Sequence, residues 1–309
     1  MRGAIAARAT EIIALVFMLF QVAAAQTCSG KPEHDIGGVH NVWALDDGGI
    51  AAFANMNINL DGYGRAYHRE NFAGGAVIHL CNAGSVYLPD GTSYSGSESN
   101  ATCTGRFMED YKRIGNAGWQ SSSVGAINWY GIVGEGVAMI HGKKIHNVKP
   151  LLQKDGSGFF ISPTSLQDLS VGVDDQNRYV NPLRVPSAVV PGSLAKRGIA
   201  MGTFGVATDG RTKTAVPFVV GDGGPRIGEG SAALARLVAG EPVTDQVTRK
   251  NRNVGQVDTP DILWVFFGGR ATQYDHNHEG QLADDATQVF QKWGGRTRLL
   301  ECLNAVPKN

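Results

Sequence analysis

Short apolar runs separated by glycine-rich turns extend along most of the chain. Residues 41–80 show this rhythm clearly, and it is typical of short strands joined by tight turns. Residues 199–207 and 214–220 predict two successive strands, because the Asp209-Gly210 pair between them is a hairpin turn sequence. Further strands are expected within residues 124–145 and 262–267, where apolar residues recur.

Helical patterns are fewer. Residues 231–239 are rich in Ala and Leu, with Ser231 as the expected N-cap and Gly240 just past the expected end. Residues 282–293 are amphipathic and stop at Gly294-Gly295. We therefore expect a mainly β fold with a few helices.

The stretch 82–123 is rich in Gly, Ser and Asn and predicts a long structured loop, with a short helix at 107–114. No internal repeat or low-complexity linker divides the chain, so residues 26–309 are interpreted as a single domain. A β-barrel-like core is expected. A double-psi barrel is one candidate, by fold-level analogy with enzymes that combine short strands, a Gly-Asp turn and a following helix.

The first 25 residues predict a secretory signal peptide. Arg2 and Arg8 precede an apolar run at 12–22, and Ala23-Ala24-Ala25 fits the small-residue cleavage pattern. The alternative is a retained membrane anchor, which the shortness of the run disfavours. We expect a protein that is secreted to the periplasm or the extracellular space and does not associate with a membrane after cleavage.

Four cysteines follow the predicted cleavage site, and an even number in an exported chain favours two disulfides. Three pairings are possible. We favour Cys81–Cys103, which would close a polar loop, and Cys28–Cys302, which would join the two ends of the chain. Free buried thiols are the alternative.

The balance of charges argues against one class of function, nucleic-acid binding. The chain has 28 Lys and Arg and 28 Asp and Glu, so no excess of basic residues is available to hold nucleic acid. The oligomeric state is not indicated by any pattern in the sequence.

Candidate chemistry concentrates in residues 214–231. An apolar strand is expected to end at Asp222, a Gly/Pro-rich loop follows, and Glu229 is expected at the start of a helix. Hydrolysis of a glycosidic bond uses such a pair of carboxyl groups. The alternative is structural: Asp222 as a turn residue and Glu229 as a charge favoured by the helix dipole. That dipole would also oppose the raised pKa that a general acid needs.

Two other motifs are superficially similar to this loop. Gly221-Asp222-Gly223-Gly224-Pro225 is close to the nucleophile loop of trypsin-like proteases but lacks the serine that attacks the substrate. The glycines also resemble a phosphate-binding loop, yet no Gly-Lys-Ser/Thr follows them.

Several segments resemble the fungal-type chitosanases of glycoside hydrolase family 75. The Gly-Asp turn at Asp222 and the Gly-Glu-Gly-Ser sequence at Glu229 match the family's two catalytic positions. The resemblance extends patchily over most of residues 26–309, through these segments: 56–62 (Met-Asn-Ile-Asn-Leu-Asp-Gly), 162–166, 179–181, 189–192 and 261–269. The chain departs from the family in a shorter Asp-to-Glu spacing, in Asn57 and Asn59 at two aspartate positions, and in a probable insertion at about 82–154.

The resemblance implies an endo-acting, inverting hydrolase of β-1,4-linked glucosamine polymers that needs no metal or cofactor. Glu229 would be the general acid and Asp222 the general base. The remaining residues are candidates for substrate binding: Asp61, Arg65, Tyr67, His68 and Arg226.

Two alternative functions remain, and the role of three aromatic residues is also open. A secreted glycan-binding or cell-envelope protein would keep the same fold without turnover. A metal-dependent hydrolase could use His276 and His278, for which a solvated loop is the structural alternative. Aromatic residues that could stack on sugar rings, or belong to the core instead, are Trp119, Trp129 and Tyr130.

Overall fold

The computed structural model describes residues 27–95 and 105–308. The predicted signal peptide, the predicted disulfide partner Cys103 and Asn309 lie outside these residues. Strands account for 33% of the structure and helices for 23%, which confirms the mainly β prediction. No helix in the described part of the chain is long and apolar enough to cross a membrane.

The strands are β1 (Gly30–Ile36), β2 (Val39–Leu45), β3 (Ile50–Asn59), β4 (Gly84–Tyr87), β5 (Ser93–Ser95), β6 (Ala126–Trp129), β7 (Gly134–Ile140), β8 (Lys143–Pro150), β9 (Ser187–Val190), β10 (Phe204–Asp209), β11 (Ala215–Gly223), β12 (Glu229–Ser231) and β13 (Val257–Gly268). The α-helices are α1 (Arg106–Asn116), α2 (Ala232–Val238), α3 (Glu279–Trp293) and α4 (Gly295–Ala305). Short 3-10 turns occupy Asn71–Gly74, Leu80–Ala83, Gln176–Arg178, Gly192–Arg197 and His276–His278.

Six strands close into a barrel in the order β3-β12-β9-β11-β10-β13, and β13 pairs back with β3. The pairs β3–β12 and β9–β11 are parallel, and the other pairs in the ring are antiparallel. The β1–β2 hairpin extends the sheet from β3. A closed barrel confirms the β-barrel-like expectation, and the double-psi arrangement stays a prediction.

The alternation of side chains along β13 explains how the barrel is filled. Leu263 and Val265 belong to an apolar cluster that includes α3 and α4, whereas Trp264 and Phe266 belong to a second cluster that includes α2. Successive strand residues point to opposite faces, so a strand buried on both sides reads as a continuous apolar run. This is why residues 262–267 were recognisable from the sequence.

Several local predictions are confirmed. The antiparallel β10–β11 pair is the predicted hairpin, although residues 199–203 precede the strand. Helix α2 has the predicted cap, because the Ser231 hydroxyl accepts a hydrogen bond from the Leu234 amide at 3.2 Å. Helix α1 covers the predicted helix at 107–114, and α3 ends at Gly294 as expected.

The loop prediction for residues 82–123 is wrong in part. Strands β4 and β5 lie in this stretch and form a small antiparallel sheet with β6. These strands are short, so their alternation was hidden among Gly and Ser residues. Strands β7 and β8 form a separate two-stranded sheet nearby. Most of this region packs in a third apolar cluster, which also contains Leu60 and Tyr67 next to the barrel.

The Cys28–Cys302 disulfide is present and joins residues 274 positions apart, as predicted. It fastens the start of the described chain to α4. Cys81 is also disulfide-bonded. A disulfide is compatible with an extracellular protein.

Candidate active site

Strand pairing places Asp222 and Glu229 at the same level of the barrel. Val189 on β9 pairs with Asp222 on β11 and also with Glu229 on β12. The two acidic residues are therefore two strands apart, which corresponds to roughly 10 Å between their Cα atoms. Asp222 and Glu229 therefore lie close together although they belong to different strands.

Asp222 and Glu229 are close in sequence because the chain reverses direction tightly between them. Only residues 223–228 separate them, and Gly228 has φ of +115°. A Cβ at Gly228 would approach Asn55 Oδ1 to 2.2 Å, so both the backbone conformation and the space favour glycine here. The chain then enters β12, which inserts between β3 and β9. Barrel geometry thus brings the two residues to one level across a short loop.

Asp222 is held by hydrogen bonds on both carboxylate oxygens. Its Oδ1 accepts from the Ser165 amide at 3.0 Å and from the Ser165 hydroxyl at 2.7 Å. Its Oδ2 accepts from the Asn59 side-chain amide at 3.4 Å. Burial raises the pKa of Asp222, and these hydrogen bonds, which favour the charged form, oppose the increase. This carboxyl group is oriented to accept a proton.

Glu229 is also partly buried, but its carboxyl group lacks the hydrogen bonds that Asp222 has. Burial is the main cause that raises the pKa of Glu229, the Asp222 charge adds to it, and Arg226 lowers it. No hydrogen bond from a described residue reaches its carboxyl group. A half-buried carboxyl with few partners is favoured in its protonated form, as a general acid requires.

The predicted position of Glu229 at a helix start is wrong. Glu229 lies in β12, and α2 begins only after Ser231. A strand of three residues is too short to be recognised by alternation, and the Ala/Leu pattern that follows it hid the boundary. The expected opposition from the helix dipole therefore carries less weight, since the effect falls off beyond the first turn.

Asp61 joins the two carboxylates. Burial raises the pKa of Asp61 well above its ordinary value, and the charges of Asp222 and Glu229 raise it further. Gly62, with φ of +90°, allows the turn that follows Asp61, since a Cβ there would meet the Val180 carbonyl at 2.0 Å. We call Asp61, Asp222 and Glu229 the carboxylate cluster. Three acidic groups this close cannot all ionise readily, so the cluster retains a proton to higher pH than isolated carboxyls would.

Asn59 connects two members of the carboxylate cluster. Its side-chain amide donates to Asp222, and its Oδ1 accepts from the Asp61 backbone amide at 2.5 Å. An aspartate at this position could not donate to Asp222 and would add a further negative charge. The asparagine therefore supports the ionised form of Asp222.

Tyr67 lies against the carboxylate cluster. It is 4% exposed, and after burial the charge of Asp61 is the largest cause that raises its pKa. Tyr130 also acts on Tyr67, and its ring is 52% exposed. Trp129, in contrast, is buried and donates its indole N–H to the Val148 carbonyl at 3.0 Å. Of the three aromatic candidates, Tyr130 is the most exposed.

Trp119 packs with Trp129 at 6.3 Å between ring centroids and belongs to the border of the third apolar cluster. Its position is that of a core residue rather than a sugar platform.

The remaining substrate-binding candidates divide into two groups. Arg226 is exposed and close enough to influence Glu229. His68 is buried, and both its ring nitrogens are engaged: Nε2 donates to the Ser157 carbonyl and Nδ1 accepts from the Glu70 amide, each at 3.0 Å. His68 therefore stabilises its loop. Arg65 is exposed over the Phe159 ring, at the edge of a neighbouring cavity.

The two histidines of the alternative metal site do not converge. His276 Nδ1 lies 2.8 Å from Asp168 Oδ2, and His278 Nδ1 lies 2.7 Å from Asp275 Oδ2. The atoms that could hold a cation together come from Asp168, Asp275 and His276, all within 4.8 Å of one another. Asp168 was missed because it is distant in sequence. Its Oδ1 already accepts from the Ser170 amide and hydroxyl, so this group is explained as a loop-stabilising network.

Comparison with protein-family models gives no match to this chain, and a search of curated proteins finds no significantly similar sequence. The resemblance to the family 75 chitosanases therefore rests on the motifs quoted from the sequence. Sequence inspection missed the role of Ser165, although its Ser-Pro-Thr-Ser segment carried part of that resemblance.

Proposed function

We propose that this protein is an exported, endo-acting glycoside hydrolase that cleaves β-1,4-linked glucosamine polymers of the chitosan type with inversion. The observation that supports this most strongly is the placement of Asp222 and Glu229 at one level of the barrel, two strands apart. Inverting enzymes need their two carboxyl groups about 6.5–9.5 Å apart, and residues two strands apart can provide that separation.

The proposed roles follow from the two environments. Glu229 protonates the glycosidic oxygen as the bond to the leaving sugar breaks, because burial and the Asp222 charge favour its protonated form. Asp222 removes a proton from the attacking water, because hydrogen bonds from Ser165 and Asn59 orient its carboxylate. The water oxygen then bonds to the anomeric carbon from the face opposite the leaving group, which inverts its configuration.

Asp61 has a positioning role in this scheme. Its backbone amide donates to the Asn59 side chain, which also donates to Asp222. Burial and the charges of Asp222 and Glu229 favour the protonated form of Asp61, so Asp61 lies beside the pair without adding a further negative charge. The scheme uses no cofactor.

Separate Asp222→Asn and Glu229→Gln variants test the assignment. Each is expected to release reducing ends from chitosan at least about 100-fold more slowly than the wild type, since general acid–base groups typically contribute 10²- to 10⁴-fold. Asp284→Asn and Glu109→Gln are matched controls, because both residues are exposed on helices. Near-normal hydrolysis by either cluster variant would contradict the proposal.

The alternative is a glycan-binding protein without turnover. Asn57 and Asn59 at two aspartate positions of the family, and the altered Asp-to-Glu spacing, favour it. Incubation with chitosan and with peptidoglycan fragments separates the two functions: binding without new reducing ends would support the alternative.

A further inference from the structure

A cavity of about 470 Å³ is lined in part by Tyr63, two residues after Asp61, and its charge is opposite to that of the carboxylate cluster. Three exposed cations line it: Arg65, Arg249 and Lys250. None of the described lining residues is acidic. We call this space the basic cavity. Its volume is within the range of sites that bind small molecules or single sugar units.

The cations of the basic cavity have no partners that neutralise their charge. None of the three makes an ion pair with a residue in the described ranges. Unpaired arginines on a surface are common, but their clustering in one concave site concentrates positive potential.

Aromatic rings hold the two guanidinium groups in position. Arg249 lies over the Phe72 ring at 3.7 Å from its centroid, and Arg65 lies over the Phe159 ring at 5.2 Å. Stacking of this kind restricts the side chain while leaving the edge N–H groups available. Such an edge matches the two oxygens of a carboxylate or a sulfate.

Arg252 links the basic cavity to the carboxylate cluster. Its guanidinium donates to the carbonyl of Val77, which lines the cavity, at 3.1 Å. The same guanidinium lowers the pKa of Tyr67, whereas Asp61 and Glu229 raise it. Tyr67 is therefore close to Asp61 and Glu229 and also to Arg252, which contacts the wall of the basic cavity.

We propose that the basic cavity binds an anionic group of the glycan, a carboxylate or a sulfate, carried on a sugar unit near the scissile bond. The preferred substrate is then a β-1,4-linked glucosamine polymer that also carries anionic groups, and uniformly cationic chitosan binds more weakly at this site. This inference rests on the proposed function in assigning the cavity to the same glycan. The physical reason is direct: ammonium groups of chitosan are repelled by three unpaired cations, whereas an anion is attracted to them.

Direct binding tests the inference without turnover. The probes are four hexasaccharides with the same β-1,4 backbone: chitin, chitosan, O-carboxymethylated chitin and O-sulfated chitin. Calorimetry with the Asp222→Asn/Glu229→Gln double variant should show at least about tenfold tighter binding of one anionic probe than of neutral chitin. Tighter binding of the carboxymethylated probe assigns a carboxylate, and tighter binding of the sulfated probe assigns a sulfate. Equal affinity for neutral and anionic probes would overturn the proposal, and so would tightest binding of chitosan.

Substitutions of the cavity residues test whether the anionic probe binds in the basic cavity. Arg249→Gln and Lys250→Gln, made in the double variant, should each reduce the preference for the anionic probe several-fold, and added salt should reduce it as well. Lys196→Gln is the matched control, because Lys196 is exposed on a 3-10 turn outside the cavity. Binding that neither cavity variant weakens would place the anion elsewhere and overturn the proposal.

Different results would contradict the hydrolase function and the basic cavity proposal. If the wild-type protein prefers the anionic probe but releases no reducing ends from any glycan, the basic cavity stands and the proposed hydrolase function falls. If chitosan is hydrolysed and neither anionic probe binds more tightly than chitin, the hydrolase function stands and the basic cavity proposal falls.

Discussion

Replacement of Ser165 by alanine is expected to disturb the proposed base while leaving the fold intact. The Ser165 hydroxyl donates to Asp222 Oδ1 at 2.7 Å, and its side chain is exposed. The backbone amide of the same residue also donates to this oxygen, and it would remain in the variant. Ser165→Ala therefore removes one charge-assisted hydrogen bond, together with a longer one from the Gly223 amide, which also donates to Asp222, and it removes little packing.

The size of the effect follows from that hydrogen bond. A bond to a charged group contributes about 1.5–3 kcal/mol, and 1.36 kcal/mol corresponds to a factor of ten in an acid dissociation constant. The hydroxyl lowers the pKa of Asp222, so its loss raises this pKa. On the acid limb of the pH profile, where the ionised base limits the rate, hydrolysis should slow by about tenfold or more. Near neutral pH the change should be much smaller.

The assay is the pH dependence of kcat/KM for chitosan hydrolysis, together with an NMR titration of the Asp222 carboxyl carbon, which needs no turnover. Ser170→Ala is a matched control, because the Ser170 amide and hydroxyl donate to Asp168 in the same way, at 2.9 and 2.6 Å. An unchanged acid limb and an unchanged Asp222 titration in Ser165→Ala would refute the proposed role of Ser165.

Two further predictions concern stability. Asp61→Asn should raise the melting temperature at pH 7, because the folded protein disfavours the ionised form of Asp61. A raised carboxyl pKa contributes stability that is fully present below the unfolded pKa, near 4, and is lost as the pH rises through the folded value. The gain should vanish near pH 3; calorimetric scans at both pH values that show no gain at pH 7 would contradict this. Cys28→Ser with Cys302→Ser should lower the free energy of unfolding by about 2–5 kcal/mol, because the disulfide closes a loop between residues 274 positions apart. Urea denaturation measures it, and an unchanged midpoint and slope would show that the bridge contributes nothing.

Local signals allowed part of this fold to be predicted. Asp209 stabilises the β10–β11 connection, because its carboxylate accepts from the Arg211 amide at 2.7 Å, and Ser231 specifies the start of α2 through its side chain. Closure of the barrel could not be predicted in this way, because β3 and β13 are about 200 positions apart and their pairing leaves no local pattern. Helix α4 was also not predicted. The Gly294-Gly295 pair is typical of a helix end, and here it also begins the next helix.

The candidate site, too, could be predicted from the sequence only in part. Asp222 was recognisable because a buried apolar strand runs directly into it. The placement of Glu229 opposite Asp222 depends on the pairing of both residues with Val189, which lies on a different strand and carries no chemical signal. The basic cavity combines Arg65 with Arg249 and Lys250, which are far apart in sequence, so the balanced overall charge concealed it.

The stereochemistry of the first product tests the paired-carboxylate account most directly. Retaining enzymes place their carboxyl groups only about 5–5.5 Å apart, whereas inverting enzymes need about 6.5–9.5 Å. Proton NMR during hydrolysis of a β-1,4-linked hexasaccharide resolves the anomeric protons before mutarotation equalises them. The positions of Asp222 and Glu229, two strands apart, predict that the α-anomer of the new reducing end appears first. Initial accumulation of the β-anomer would contradict the account.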